Sequence, residues 1–323
     1  MPLRYFCGFI GLWIILSTPA LAISSEPAVS RLQAMASAVK SLAYSGKLVY
    51  QREGVLSNLA FQHDFKNGEE RARLRRLSGQ PLERARVGDS LFEAMPGPDV
   101  LRQGYPLPGL IHPGLTQMRE SPYRFSLGAK ERVADRSAQV VNVEALDDHR
   151  YSYKFWVDYE TDLLLKSQTV SIEGKILEQF EFSELALGSQ SIQVALDQVS
   201  LQVNVHPITA QETVLQFSPA SWLPTGYQLV SALPSKAAGQ KIYSLVYSDG
   251  LGSFSIFLEL TNSRAEPEML AISGPTIALG KDYSFSGGAL RVTLVGEIPQ
   301  TTGKTIIDAL DVNGLKGLLG RAR

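Results

Sequence analysis

The chain has one cysteine and four histidines among 323 residues. Zinc sites need clustered Cys and His, and disulfide scaffolds and Cys-x-x-Cys redox pairs need at least two cysteines. None of these is available, so no metal and no cofactor is expected. Neither charge sign is in excess: 31 basic residues face 32 acidic ones, for a formal charge of −1. A polycation built for nucleic acid is thereby excluded. No apolar run reaches the ~20 residues that span a bilayer as a helix. Enzymatic motifs are missing too. There is no G-x-S-x-G elbow and no H-E-x-x-H pair. Gly303-Lys304-Thr305 resembles the end of a phosphate loop, but six residues separate Gly296 from Gly303 where that motif needs four, and position 298 is Ile. His63 falls on an apolar strand face and reads as a core histidine. His112, His149 and His206 fall in turns or linkers. No catalytic residue is assigned and no enzyme activity is expected.

The N-terminus carries an address. Arg4 is followed by an apolar run over 6–16, then by Ala20 and Ala22 in an A-x-A pattern. This is the layout of a secretory signal peptide over residues 1–22, too short to span a membrane. Cleavage would remove Cys7, leaving a soluble exported chain without cysteine, with a bacterial periplasm as its expected location.

The remainder reads as two α+β units. Val29, Leu32, Met35, Ala36 and Val39 recur at helical spacing behind Pro27. Short alternating runs then predict strands over 47–51, 59–66, 71–77, 82–87 and 90–95, with Asn67-Gly68 as a hairpin turn. Residues 96–122 hold six prolines, which no strand ladder tolerates, so a long loop is expected there, a candidate lid. Strands resume over 123–127, 140–146, 151–159, 163–172 and 176–185, with a weaker one at 199–205. A first domain over 23–203, a linker over 204–217 and a smaller domain over 218–318 follow. The smaller domain has predicted strands at 227–232, 242–248, 253–260, 276–278 and 289–296, and a final helix from 305 to 310.

Strand alternation sorts side chains by face. Leu59, Phe61, His63 and Phe65 share one side, as do Tyr151, Tyr153, Phe155, Val157 and Tyr159. A curved antiparallel meander with an aromatic face either closes over its own core or leaves a groove for acyl chains. Both outcomes need the same alternation. On the groove reading Phe61, Phe65, Tyr153, Phe155 and Tyr159 would bind lipid. Arg71, Arg73 and Arg75 alternate on one strand, and Arg84 and Arg86 on the next. If the strands pair, five guanidinium groups would form one patch suited to phosphate or carboxylate. The competing reading is a solvated face neutralised by Glu69, Glu70 and Glu83.

The segments Arg150-Tyr-Ser-Tyr-Lys-Phe-Trp-Val-Asp158, Thr161-Asp-Leu-Leu-Leu-Lys-Ser167 and Ile176-Leu-Glu-Gln-Phe-Glu-Phe182 resemble the RseB/MucB family of periplasmic sigma-E regulators. The second domain agrees through Trp222-Leu-Pro-Thr-Gly-Tyr227, Tyr247-Ser-Asp-Gly-Leu251, Phe254-Ser-Ile-Phe257 and Val295-Gly-Glu-Ile-Pro299. Asp162 departs from the pattern, which usually has Gly in that turn, and so does Glu144-Ala145. The resemblance implies an incomplete antiparallel barrel like the lipoprotein carriers LolA and LolB, covered by helices, plus a smaller C-terminal domain. It also implies binding to the periplasmic domain of an RseA- or MucA-type anti-sigma factor, shielding that factor from DegS-type proteolysis, and release by lipopolysaccharide or mislocalised lipoprotein. Trp222, Tyr227 and Tyr247 are the expected partner-binding residues. A LolA-like carrier or chaperone is the alternative function. The edge strands of an open barrel also allow pairing between chains, a homo-oligomer.

Overall fold

In the computed structural model of the chain, the described residues are 26–66, 68–88, 90–93, 122–188, 201–204, 219–237, 240–262, 264–286 and 288–321. The predicted leader over 1–22, nearly all of the proline-rich loop and all but one residue of the linker lie outside them.

The first unit opens with α1 (Glu26–Ser41), whose buried residues Ala28, Leu32, Met35, Ala38 and Val39 form one stripe. Ten strands follow in the first part of the chain: β1 (Tyr44–Arg52), β2 (Val55–Lys66), β3 (Glu69–Arg76), β4 (Glu83–Val87), β5 (Ser90–Glu93), β6 (Tyr123–Val133), β7 (Arg136–Ala145), β8 (Ser152–Asp158), β9 (Leu164–Val170) and β10 (Ile176–Leu187). With β11 (Leu201–Asn204) they form one eleven-stranded antiparallel sheet in the order β11-β5-β4-β3-β2-β1-β10-β9-β8-β7-β6. β6 and β11 are its two edges, so the barrel is incomplete. One face curves around α1, and Leu32, Met35 and Val39 share a core with Tyr44, Phe61, Tyr153, Phe155, Phe180 and Phe182. A smaller cluster of Val133, Ala138, Val140, Trp156 and Leu165 lies on the opposite face.

The second unit is a six-stranded antiparallel sheet, β12 (Gln228–Ala237), β13 (Gln240–Ser248), β14 (Ser253–Thr261), β15 (Met269–Ser273), β16 (Thr276–Phe285) and β17 (Gly288–Gly296), in the order β12-β13-β14-β17-β16-β15. Helices α2 (Gln300–Asp308) and α3 (Val312–Arg321) follow. Ile306, Ile307 and Leu315 join Tyr247, Phe254, Ile256 and Leu294 in its core. The α+β class and the pairing of an open sheet with a smaller domain agree with the sequence reading.

Three differences have physical reasons. The hairpin of β6 and β7 runs further than the predicted 123–127 and 140–146. Its turn uses Ala134 (φ 49°) and Asp135 (φ 64°), with no Gly or Asn to signal it. β15 was not predicted, because Met-Leu-Ala-Ile-Ser does not alternate in polarity and all five residues are exposed. α3 was missed because its four glycine or asparagine positions disguise a helix.

Candidate functional site

The junction between the two domains holds a cluster of buried polar side chains. Arg150, 1% exposed, stands in the turn before β8. Its Nη1 donates to Asp249 Oδ2 (2.5 Å) in the turn before β14, its Nε and Nη2 donate to Asp147, and its Nη2 donates to the Thr225 carbonyl (2.6 Å). Tyr123 Oη donates to the same Asp249 oxygen (2.9 Å). The guanidinium lies 5.4 Å from the Tyr123 ring centroid and 5.1 Å from that of Tyr227. Burial works against its charge, but the Asp147 hydrogen bonds and the Asp249 charge hold its pKa above the ordinary arginine value. Asp249 also accepts from the Leu251 and Gly252 amides, which fixes its own turn. A side chain at Gly252 would meet Tyr227 Oη at 2.8 Å, so only glycine lets the turn enter the junction. Tyr151 Oη donates to the Ile298 carbonyl (3.0 Å), and Trp222 packs edge-on against His149 at 5.1 Å.

A second contact lies at the β1–β2 turn. Arg52 Nη2 donates to the Ser273 carbonyl and to Thr276 Oγ1 (2.6 Å each), and the Gly274 amide donates to Glu53 Oε1 (2.6 Å). Arg52 Nε also lies 3.6 Å from Glu178 Oε2. Glu178 is 4% exposed. Its carboxyl is pushed up to about 7 by burial and by the charge of Glu297, with Arg52 pulling the other way. Glu297, just past β17 in the other domain, is likewise raised by burial. The domains therefore meet through a buried ion pair at one point and through the Arg52 and Glu53 hydrogen bonds at another.

The five aromatic residues expected to bind acyl chains divide into two groups. Phe61, Tyr153 and Phe155 are buried in the core beneath α1. Phe65 and Tyr159 are half exposed, and Lys130 Nζ sits 3.8 Å over the Tyr159 ring. They do not line one open groove, because α1 fills the concave face with its own side chains. His63 is a core histidine as expected, with Nδ1 2.8 Å from the Leu42 carbonyl and Nε2 3.2 Å from Glu70 Oε1.

The single five-arginine patch is corrected by the strand register. Arg84 pairs with Leu74 and Arg86 with Ala72, while Arg71, Arg73 and Arg75 pair with Val87, Ala85 and Glu83. Directly paired residues share a face. The two sets therefore occupy opposite sides of the sheet, and Arg84 is buried with Leu74. On the convex side Arg73 and Arg75 border a cavity of about 350 Å³ with Lys47, Gln62 and Glu184. Glu69 holds Arg71, Glu83 holds Arg73 and Glu184 holds Lys47. The face is largely neutralised.

Of the expected partner-binding residues, Trp222 is half-buried at the junction and Tyr227 faces Arg150. Tyr247, 1% exposed, stacks on Phe254 at 5.0 Å inside the small domain. A surface role for Tyr247 is corrected accordingly. Sequence reasoning missed Arg150, Asp249, Arg52, Glu178 and Glu297. The Asp249-Gly250 turn signal was visible, but a buried charge pair between residues 99 apart leaves no local trace. Among the described residues no cluster of three or more His, Cys, Asp or Glu is placed to hold a metal, and no helix is long and apolar enough to cross a membrane.

Comparison with known proteins assigns the same two units. The family model of the MucB/RseB N-terminal domain matches residues 27–205, and that of the MucB/RseB C-terminal domain matches 211–311. The chain is 30% identical to the sigma-E factor regulatory protein RseB of Salmonella typhimurium over 93% of this chain and 97% of that one. It is 29% identical to the sigma factor AlgU regulatory protein MucB of Pseudomonas aeruginosa, over 88% and 91%. A solved complex of Pseudomonas aeruginosa MucA and MucB superposes with a TM-score of 0.68 at 27% identity, covering 87% of this chain and 96% of that one. Crystalline MucB gives 0.62 at 27% identity, over 89% and 98%.

Proposed function

The chain belongs to the MucB/RseB family, and from that membership we propose that it is a non-catalytic periplasmic regulator that binds the periplasmic domain of a MucA- or RseA-type anti-sigma factor. The observation that carries this reading is the shared frame: both domains align, in order, with a MucB solved bound to MucA. The buried Arg150–Asp249 pair supports it further, because a fixed angle between the domains presents a composite surface that neither domain offers alone.

Bound to this surface, an extended anti-sigma segment is withheld from a site-1 protease of the DegS type. Lipopolysaccharide or a mislocalised lipoprotein releases it. The physical form of that release is linkage: an amphiphile that binds the free form more tightly lowers affinity for the partner, by about 1–3 kcal/mol in typical switches. The acyl chains reach Phe61, Tyr153 and Phe155 by displacing α1, which otherwise covers them. Convex-face arginines Arg71, Arg73 and Arg75, with their acidic partners, are the counterpart for phosphates.

The test is calorimetric titration with the periplasmic domain of an anti-sigma factor, with and without lipid A. Binding that weakens in lipid A supports the reading. Absence of binding ends it, and binding indifferent to lipid A removes the release step alone. A chain that carries acylated lipoprotein yet ignores the anti-sigma domain is a LolA-like carrier instead.

A further inference from the structure

The convex face of β1, β2, β3 and β10 carries a dip that alternation and register build together. One row across the sheet reads Ala186, Ser45, Gln62 and Arg73, and the next reads Glu184, Lys47, Ala60 and Arg75. Directly paired residues share a face. The small side chains of Ser45, Ala60 and Ala186 therefore form a floor among long polar ones, around the cavity of about 350 Å³. The strand pairing beneath is irregular. Lys47 pairs with Glu184 and Leu48 with Phe182, which leaves Ser183 as the extra residue of a β-bulge, its Oγ donating to the Lys47 carbonyl (3.2 Å). A Cβ at Gly46 would overlap the Glu184 carbonyl, so the pairing requires glycine there.

The polar groups around the dip divide into engaged and free. Lys47 donates to Glu184 (2.9 Å), and Glu83, opposite Arg75 in the register, accepts from Arg73 instead (2.8 Å). Asp64 lies one row further along, opposite Arg71. Among the described residues, the Ser45 hydroxyl, the Gln62 amide and the Arg75 guanidinium have no hydrogen-bond partner. Ser45 is only 9% exposed. Lys47, Arg73 and Arg75 stand against Glu83 and Glu184, which leaves one positive charge, on Arg75.

We propose that this dip binds an acidic side chain, Glu or Asp, of an extended peptide, with its carboxylate on the Arg75 guanidinium and the adjoining peptide group on Gln62 and Ser45. A carboxylate is a single charge and takes two parallel N–H donors from a guanidinium. The Gln62 amide offers a donor and an acceptor, the complement of a peptide C=O and N–H. A C-terminal carboxylate fits less well. Such groups are captured by clustered backbone amides, and the amides here belong to the sheet ladder. A cavity of about 350 Å³ stands at the small end of ligand sites, which suits a single residue. Arg75 is also one of the arginines assigned above to phosphates, so phosphate competes for it. The site requires no anti-sigma partner, and its failure would leave that reading intact.

Amide shifts of the isotope-labelled full chain, titrated with N-acetyl-Gly-Glu-Gly-amide, test this. Saturable shifts are expected at Ser45, Gly46, Lys47, Gln62 and Arg75. The same peptide with Gln in place of Glu should bind about five- to tenfold more weakly. Arg75→Gln should weaken binding of the Glu peptide to a similar degree. So should Ala60→Glu, which sets a carboxylate opposite Arg75 in the register. Glu184→Gln frees Lys47 and should tighten binding severalfold. All three positions lie on the sheet surface, and unchanged thermal melting confirms the fold of each variant. Equal affinity for the Glu and Gln peptides overturns the proposal. So do shifts spread without saturation over the exposed arginines. Tighter binding of inorganic phosphate returns Arg75 to phosphates alone, and tighter binding of N-acetyl-Gly-Gly makes the site one for chain termini; either result overturns the side-chain reading.

Discussion

Arg150 and Asp249 stand 99 residues apart in the chain and meet at 2.5 Å across the domain junction, with 1% and 0% of their side chains exposed. Two buried charges gain little over an apolar pair, but removing one leaves the other stranded. Asp249→Ala is therefore expected to cost about 3–5 kcal/mol, seen as a lower melting temperature and a broader distribution of interdomain angles in solution scattering. Arg150→Met combined with Asp249→Asn should recover part of that loss, because the amide oxygen of asparagine can still accept from the Leu251 and Gly252 amides. Equal destabilisation by the single and double variants would show that the pair is not the lock.

Glu178 gives the junction a pH dependence. Its folded pKa of about 7 lies above its ordinary value of 4.5, with burial as the main cause and the Glu297 charge second. The folded state then holds a proton that the unfolded state releases. Stability from this group is full below pH ~4.5, declines as pH rises to ~7, and is level beyond that. At most about 3 kcal/mol is involved. Asp147, Asp158 and Asp282, each lowered by an arginine partner against the opposing effect of burial, act in a different window, losing their contribution only as pH falls below the normal carboxylate range. Melting temperatures between pH 5 and 8 should fall with rising pH in the wild type and flatten in Glu178→Gln. An unchanged slope in that variant would move the effect to another group.

Much of this architecture was legible in the chain itself, for reasons particular residues make plain. The α1 stripe at Leu32, Met35 and Val39 and the alternation through Leu59, Phe61 and His63 report burial directly, since period fixes face. What alternation cannot report is register between strands. Arg84 sits opposite Leu74 because the β3–β4 connection sets the pairing, and that length effect split the expected arginine patch. Nor can alternation report what covers a face. Phe155 reads identically whether lipid, solvent or α1 lies above it. The junction was invisible for a third reason: Arg150, Asp249, Glu178 and Glu297 acquire their properties only from a distant domain.

Asp162 occupies a left-handed conformation (φ 59°), a region that favours glycine. It is also the ion-pair partner of Arg31 on α1. Two effects oppose each other in Asp162→Gly. Relief of the positive φ favours the folded chain by roughly 1 kcal/mol, and loss of a partly exposed ion pair costs up to about 1 kcal/mol. The melting temperature should hardly move. Hydrogen exchange in α1 should nevertheless accelerate, because the tether belongs to the helix and the strain to the turn. Unchanged α1 exchange would mean that the Arg31 contact does not anchor the helix.

The displacement of α1 can be weighed in advance. Leu32, Met35 and Val39 are its large buried side chains, and exposing them costs about 5–9 kcal/mol at ~1.5–3 each. Freed of the sheet, a 16-residue helix is itself marginal in water. An acyl chain gains ~0.8 kcal/mol per buried CH₂, so a chain of about 12–14 carbons offsets the loss and one of about six does not. Release of an anti-sigma peptide should therefore show a threshold in chain length when a series of single-chain phospholipids is titrated below their micellar concentrations. Above the threshold, peptide affinity should fall by about 5–150-fold. In the same titration the amides of α1 should lose exchange protection while those of β8 keep it. A response independent of chain length, or an α1 that stays protected while the peptide leaves, would place the lipid elsewhere on the molecule and leave the wall beneath the helix as core.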